Sequence, residues 1–326
     1  IGTIGAGTSE IMREIIAKIN IDKIQYKKAD LNTENVQNKL NIYYGEDHEL
    51  FRQSLRNFIL GFSNEKVESF VENIDSQRDF FKDLYEMGYF SHEGSGENDG
   101  FNFDSLQGMI LNEEIARVKS RSFITINHNF QMTQDYISRL GNQKQKDTYL
   151  LKNEGEVLIG CNATYENFDY TDLSSINAEA KREGDYYLIN GSKKIVASGI
   201  NSDYFIISCK ISNDKQNNGL SLIIIPKYLK GNDVTKKLNI KDFNADFKII
   251  HFDNLKVPAE NLLGEENQSL DHIFNQNLIL SLSESASSVS NAELNLKTTV
   301  EYINSQEYRG EKVSQIQSVR HEIAQM

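Results

Sequence analysis

Two cysteines, two prolines and no tryptophan occur in a chain of 326 residues. So few thiols exclude a disulfide-built secreted domain and predict an intracellular, reducing compartment. Cys161 and Cys209 fall in strand-like runs with no histidine nearby, which reads as a pair of inert buried thiols. Basic residues are short as well: 35 Lys and Arg stand against 47 Asp and Glu, a net charge of −12. A nucleic-acid partner needs a basic patch to neutralise its phosphates. Lys27-Lys28 and Lys236-Lys237 are isolated pairs that read as solvated faces, so no such partner is expected. The longest apolar runs, 204–209 and 220–226, are too short to cross a bilayer and read as buried strands, so no transmembrane segment is expected. The six histidines, His48, His92, His128, His251, His272 and His321, are scattered without metal spacing, so surface or core roles are expected and no metal site. No basic and apolar leader is recognisable at the start. The chain opens on a glycine-rich turn at Ile1, which reads as the interior of something longer.

What is present is a hydrophobic fraction of 39%, enough for about two cores if it clusters. Residues 1–18 read as a glycine turn and a helix, with Thr8 or Ser9 as N-cap and an apolar stripe through Ile11, Ile15 and Ile16. Residues 19–43 are polar, weakly periodic and linker-like. Residues 44–155 have helical periodicity: Leu50, Phe51, Leu55, Phe58 and Ile59 recur at three to four residues, as do Phe80, Phe81, Leu84 and Met87 before Gly88. Two more helices are predicted at 105–118 and 123–140, with a glycine-rich loop at 94–100. Across 156–268 the period becomes two. Tyr186–Ile189 and Lys194–Val196 flank Asn190-Gly191, a strong hairpin signal, and 203–212, 220–226 and 247–252 are further strands. The helical period returns over 269–326, as one helix at 270–282 and another at 285–302. Helices, then strands, then helices predict an α+β chain with a β domain between helical ones.

The motifs on these elements resemble one family, the acyl-CoA dehydrogenases. The run from Glu49 to Phe58 (ELFRQSLRNF) looks like its first helix and Leu84 to Tyr89 (LYEMGY) like its second. Glu113-Glu114-Ile115-Ala116-Arg117 resembles the "EELAR" helix, and Gly141 to Lys146 (GNQKQK) the turn after it. Cys161-Asn162-Ala163-Thr164 is similar to the strand carrying "AxTEP", Gly184 to Lys194 to "GDxYxLNGxK", and Val257 to Gly264 to the exit from the β domain. The resemblance implies an N-terminal helical domain at 44–155, a β-barrel or sandwich domain at 156–268, and the start of an incomplete C-terminal four-helix domain at 269–326. Ile4 to Arg13 (IGAGTSEIMR) resembles the closing loop of that last domain. The expectation is therefore a tandem pair of modules, or one permuted or incomplete module.

The resemblance also implies FAD as cofactor, acyl-CoA as substrate, a role in fatty-acid or amino-acid catabolism, self-association or membership of a larger assembly, and the mitochondrial matrix if the source is eukaryotic. In this family a Glu removes the α-proton while FAD takes the β-hydrogen as hydride. The two positions from which the family presents that Glu are Ala6 and Leu280 here, with Ser281 where an Arg is usual. Neither Ala nor Leu accepts a proton; Glu284, one turn on, is the candidate substitute, although a solvated helix Glu is the plainer reading. The implied cofactor contacts are Thr164, Ser198, Gly7, Thr8, Glu10, Gln306, Arg309 and Gln317. Several depart from the pattern. Tyr165 replaces the acid after Thr164, Ile195-Val196-Ala197-Ser198 replaces an aromatic and a Thr, and Gln306 replaces the Arg that would grip a pyrophosphate, with Arg309 one turn away. Gly7-Thr8-Ser9-Glu10 keeps a helix N-terminus suited to an anion. Turn and packing positions survive better than chemical ones. That pattern predicts a structural or assembly subunit that has kept the fold; the alternative is an active dehydrogenase of short or branched acyl-CoA.

Overall fold

Phenylalanines at helical spacing build the first layer. The computed structural model describes residues 45–89, 105–150, 156–166, 173–212, 219–229, 232–233, 239–242 and 247–326; the predicted closing loop at 1–18, the linker at 19–43 and the loop at 94–100 lie outside them. Helices α1 (Glu46–Leu60), α2 (Asn64–Glu72), α3 (Ile74–Glu86), α4 (Ser105–Ala116), α5 (Arg121–Leu140) and α6 (Gln143–Tyr149) make up the N-terminal domain. Sequence periodicity did not separate out α2. It is short, capped by Ser63, whose hydroxyl accepts the Lys66 amide at 3.3 Å, and anchored by buried Phe70. Phe70 stacks on Phe123 with ring centroids 4.0 Å apart, and Phe81 on Phe130 at 3.8 Å, so α2 and α3 both lean on α5.

The EELAR motif ties this layer together. Glu114, with no exposed side-chain surface, accepts hydrogen bonds from Arg56 at 2.7 and 2.9 Å and pairs with Arg117 at 3.1 Å and Arg52 at 3.3 Å. Burial pushes its carboxyl upward, but the Arg56 hydrogen bonds and the three guanidinium charges hold it below the usual carboxylate range. Arg52 also bonds Glu113, so α1 is fixed to α4 at two carboxylates.

The β domain contains β1 (Gly160–Ala163), β2 (Glu179–Glu183), β3 (Tyr186–Val196), β4 (Tyr204–Ile211), β5 (Ser221–Pro226), β6 (Tyr228–Leu229), β7 (Asn232–Asp233), β8 (Asn239–Asp242), β9 (Phe247–Pro258) and β10 (Leu262–Leu263). One mixed sheet runs in the order β10-β5-β4-β2-β3-β9-β8, with β1 parallel to β4; β6 and β7 form a separate ladder. Its two arms meet where β2 and β4 share a short parallel ladder, and they enclose Ala180, Ile189, Phe205, Ile223, Ile250 and Val257.

The hairpin predicted at Asn190-Gly191 is not there. β3 runs straight through it with a register shift, pairs with β9 along both halves, and turns back to β2 at Gly184, where φ is +61°. Gly191 has φ of +130°, and a Cβ there would stand 2.7 Å from the Ala178 Cα, so the glycine serves a bulge and a close approach. The Asn190 side chain accepts the Asn254 amide at 2.8 Å across the same bulge.

α5 is the shared wall between domains. One face enters the phenylalanine core; the other, with Tyr136 and Ile137, packs on Tyr204, Ile206 and Ile224. Gly160 makes the approach feasible, since a Cβ there would meet Thr133 Oγ1 and the Tyr204 ring at 2.5 Å. After the sheet comes α7 (Leu270–Ser305), a single helix of 36 residues rather than the two predicted. A small hairpin, β11 (Glu307–Tyr308) and β12 (Glu311–Lys312), then leads to α8 (Gln317–Gln325). Among the described residues no helix is long and apolar enough to cross a membrane.

Candidate functional site

α7 presents an inverted pattern. Buried Ser283, Ala286, Ser287 and Ser290 let it lie close to α4, with the Ser283 hydroxyl accepting from Asn112 Nδ2 at 3.1 Å and the Ser287 hydroxyl bonding the Asn112 carbonyl at 3.3 Å. A polar row next to this face, Asn277, Ser281, Glu284, Ser288, Asn291, Asn295 and Thr298, keeps the three-to-four spacing of one helical stripe and borders a cavity of about 1000 Å³. The opposite wall is α5, through Ile124, Thr125, His128, Asn129 and Met132, and the floor is sheet, through Asn162, Tyr165, Lys194, Ile195 and Phe247.

The chemistry-bearing groups lie along that cavity. Glu284 is the one carboxylate among its described lining residues. Its Oε1 lies 3.2 Å from Nδ1 of His128, whose side chain is almost fully buried, while the Glu284 side chain keeps 59% of its surface exposed. The hydrogen bond with His128 holds the Glu284 carboxyl below its ordinary value, burial opposes this, and the charges of His128 and Arg121 add to the lowering. Glu284 is solvated, as the simpler expectation has it, and is also in contact with a histidine on another element.

On the floor, the Asn129 side chain accepts the Asn162 amide at 2.9 Å, and the Asn162 Nδ2 contacts Met132 Sδ at 3.5 Å. The Asn162 Oδ1 is buried with no hydrogen-bond partner among the described residues. Tyr165, standing where an acid was expected, reaches across to Asn277 of α7. The acid comes one residue later. Glu166 turns away from the cavity, pairs with buried Lys193 at 2.9 Å and accepts the amides of Asn177 and Ala178, each at 2.8 Å. Burial would raise the Glu166 carboxyl, yet the Lys193 charge and these amides bring it below the usual range. The aromatic face missing at Ile195 is supplied from the neighbouring strand: Phe247, in register with Val196, lines the cavity with Lys194 Nζ 4.8 Å from its ring centroid. Burial lowers the Lys194 ammonium. At the start of α5, Lys119 and Arg121 bring positive charge to the cavity wall.

The predicted site residues are dispersed. Leu280 and Glu284 both line the cavity. Thr164 is fully buried and not among the lining residues; its carbonyl accepts the Ser208 hydroxyl at 2.6 Å. Ser198 falls in the short helical turn Ala197–Asn201. Gln306, Arg309 and Gln317 are exposed beyond the far end of α7 and none lines the cavity, with Arg309 at φ +54° in the β11–β12 turn. Ala6, Gly7, Thr8 and Glu10, and the loop 167–172, lie outside the described residues. Sequence reasoning missed His128, Asn112, Asn162 and Phe247. The only signal for them was the polar row on α7, which points to a wetted or ligand-facing stripe without saying what lies opposite. The thiol reading matches the structure: Cys161 and Cys209 are free and buried, and burial pushes Cys209 up to about 12.

Two family models match the chain, the acyl-CoA dehydrogenase N-terminal domain over residues 45–153 and the acyl-CoA dehydrogenase middle domain over 163–255. Similar curated proteins include the mitochondrial long-chain specific acyl-CoA dehydrogenase of Rattus norvegicus, 25% identical over 87% of this chain and 66% of its own length. A short-chain specific acyl-CoA dehydrogenase of Clostridium acetobutylicum is 29% identical over 68% of this chain and 59% of its own length. The chain thus spans two thirds or less of these relatives. Among solved structures, an acyl-CoA dehydrogenase from Geobacillus kaustophilus superposes with a TM-score of 0.70 at 25% identity, over 87% of this chain and 75% of the other.

Proposed function

The chain belongs to the acyl-CoA dehydrogenase family, and from that premise we propose that it binds an acyl-CoA thioester between α5 and α7 and oxidises it across Cα and Cβ, with Glu284 taking the α-proton. The observation that carries this is the position of Glu284: the one carboxylate among the described cavity residues, one helical turn from Leu280 and held by His128. A general base needs a lone pair within reach of the substrate and a geometry fixed by a partner. Glu284 has both.

The family is FAD-dependent, and the cavity residues fit the ring end of that cofactor. Phe247, Ile195 and Met132 give apolar walls, Lys194 gives a donor, and Asn162 has a buried acceptor oxygen with no partner among the described residues. The cofactor, when bound, takes up the hydride from the β-carbon. The residues of the chain do the rest. Asn162 and Lys194 would hold the polar edge, and the apolar walls keep water from the acyl chain. The α-C–H bond breaks with its proton moving to Glu284, and its electron pair becomes the new Cα–Cβ bond as the β-hydride departs. In this reading 44–155, 156–268 and 269–326 are successive domains of one module, and 1–18 is the closing segment either of that module or of one before it in tandem.

A second reading, a subunit kept for its fold or for assembly, is favoured by Leu280, an apolar side chain on the cavity wall where the family presents its base. One experiment separates the two. The full chain is loaded with FAD and mixed anaerobically with acyl-CoA esters, straight and branched, while the visible flavin band is followed. Bleaching by wild type that is lost in Glu284→Gln supports oxidation with Glu284 as base. No bleaching by any ester supports the second reading.

A further inference from the structure

The base just assigned is one end of a longer arrangement whose protons can be placed. Asn112, on α4 and almost wholly buried, donates from Nδ2 to the Gly108 carbonyl at 2.8 Å and to the Ser283 hydroxyl at 3.1 Å. A backbone carbonyl only accepts, so the orientation of the amide is fixed. The Asn112 Oδ1 then faces His128 Nε2 at 2.7 Å, which makes Nε2 the donor. Nδ1, the other ring nitrogen, faces Glu284 Oε1 at 3.2 Å. A neutral imidazole already carrying its hydrogen on Nε2 would turn a lone pair towards a carboxylate, two acceptors at hydrogen-bond distance. The contact requires one more proton between them.

We propose that His128 and Glu284 hold one proton as a unit, with Asn112 fixing which nitrogen faces the carboxylate, and that His128 is thereby the positioning residue that fixes Oε1 and leaves Oε2 to meet a substrate. This rests on the proposed function for its consequence but not for its geometry. Among the described residues the pair meets uncharged Asn112 of α4 and Ser283 of α7 and the cation Arg121 of α5, whose charge acts on Glu284; Lys119 and Lys194 line the same cavity, and Asp135 and Arg139 line a smaller one on the other side of His128. A cation on that side favours ionised Glu284 and so places the shared proton on the ring.

In the oxidation above, the α-proton goes to Oε2 while Oε1 keeps its bond to the imidazole. The pair gains one proton and one positive charge and returns both to water afterwards. The arrangement works only with the shared proton in place, because a bare Nδ1 would set its lone pair against Oε1.

The test is nitrogen NMR on the full chain labelled with 15N-histidine. The expected wild-type result near neutral pH is a proton on both ring nitrogens of His128. In Glu284→Gln the amide can donate to Nδ1, so that nitrogen should change to the lone-pair type while Nε2 keeps its proton. A bare Nδ1 in wild type, or an unchanged Nδ1 in the variant, overturns the proposal. The wild-type spectrum decides the first point alone, so a variant that fails to fold leaves the test intact. The second measurement is flavin bleaching in two variants: His128→Gln, which keeps an N–H towards Glu284, should retain most of it, and His128→Leu, which offers none, should lose it. Equal bleaching in the two variants overturns the positioning role. A shared proton with no bleaching in any variant rejects the oxidation but keeps the pair; bleaching with a bare Nδ1 does the reverse.

Discussion

Glu166 and Glu284 each meet a nitrogen on a distant part of the chain, and their surroundings differ. Glu166 and Lys193 stand 2.9 Å apart with side chains 10% and 0% exposed, and Lys193 also donates to the Ser208 hydroxyl at 3.0 Å and the Thr164 carbonyl at 3.4 Å. Both Glu166 oxygens are filled, Oε1 by Lys193 and the Ala178 amide, Oε2 by the Asn177 amide. Glu284 and His128 stand 3.2 Å apart, but the carboxylate borders a cavity, and among the described residues its contact is through Oε1. The acid that is sealed and saturated builds the fold. The acid that borders a cavity is the one proposed to react.

That comparison is broken most easily by removing its structural half. Lys193→Met should leave a carboxylate in the β-domain interior without its counter-ion and cost about 3–5 kcal/mol, the usual penalty for orphaning a buried charge. Urea unfolding followed by circular dichroism measures it. Glu284→Gln in the same assay should cost less than about 1 kcal/mol, as for exposed pairs. Comparable losses in the two variants would erase the distinction. A smaller effect sharpens it. Gly191→Ala places a methyl 2.7 Å from the Ala178 Cα, and the Ala178 amide is one of the donors to Glu166. The strained φ and this collision should together cost roughly 1–3 kcal/mol, read as a fall in melting temperature with the Glu284–His128 contact unaltered.

How much of this was legible beforehand follows from how local each cause is. β4 and β5 announce themselves as apolar runs because both faces are covered. The hairpin error arose because Asn-Gly has the same turn chemistry whether it closes a hairpin or opens a bulge. Only the pairing of β3 with β9 along its whole length decides, and that is not local. The false break in α7 came from its serines, poor helix formers in isolation. Here Ser281, Ser285 and Ser288 bond back to carbonyls four residues earlier, while Ser283 and Ser287 lie against α4. Glu284 was within reach of sequence reasoning through its helical offset from Leu280. His128 was not, because 156 residues separate it from Glu284 and its tautomer depends on a third helix.

The smallest expected effect concerns acid. Glu166 and Glu284 both titrate below the ordinary 4.5 in the folded chain. A carboxyl with a lowered folded value binds fewer protons than its unfolded counterpart between the two values. Its stabilisation is therefore complete above the ordinary value and is lost as pH falls through the folded one. For Glu166 the gain comes from Lys193 and two amides in a sheltered place, so salt should screen it little. For Glu284 much of the surface is open, and the gain should be small and weakened by salt. Urea midpoints taken from neutral pH downwards should slope in wild type and in Glu284→Gln alike, and slope less in Glu166→Gln, where Glu114 supplies the remainder. A slope that vanishes in Glu284→Gln instead would mean that the cavity carboxylate, not the buried one, anchors the fold in acid, and the division between a building acid and a reacting acid would have to be reversed.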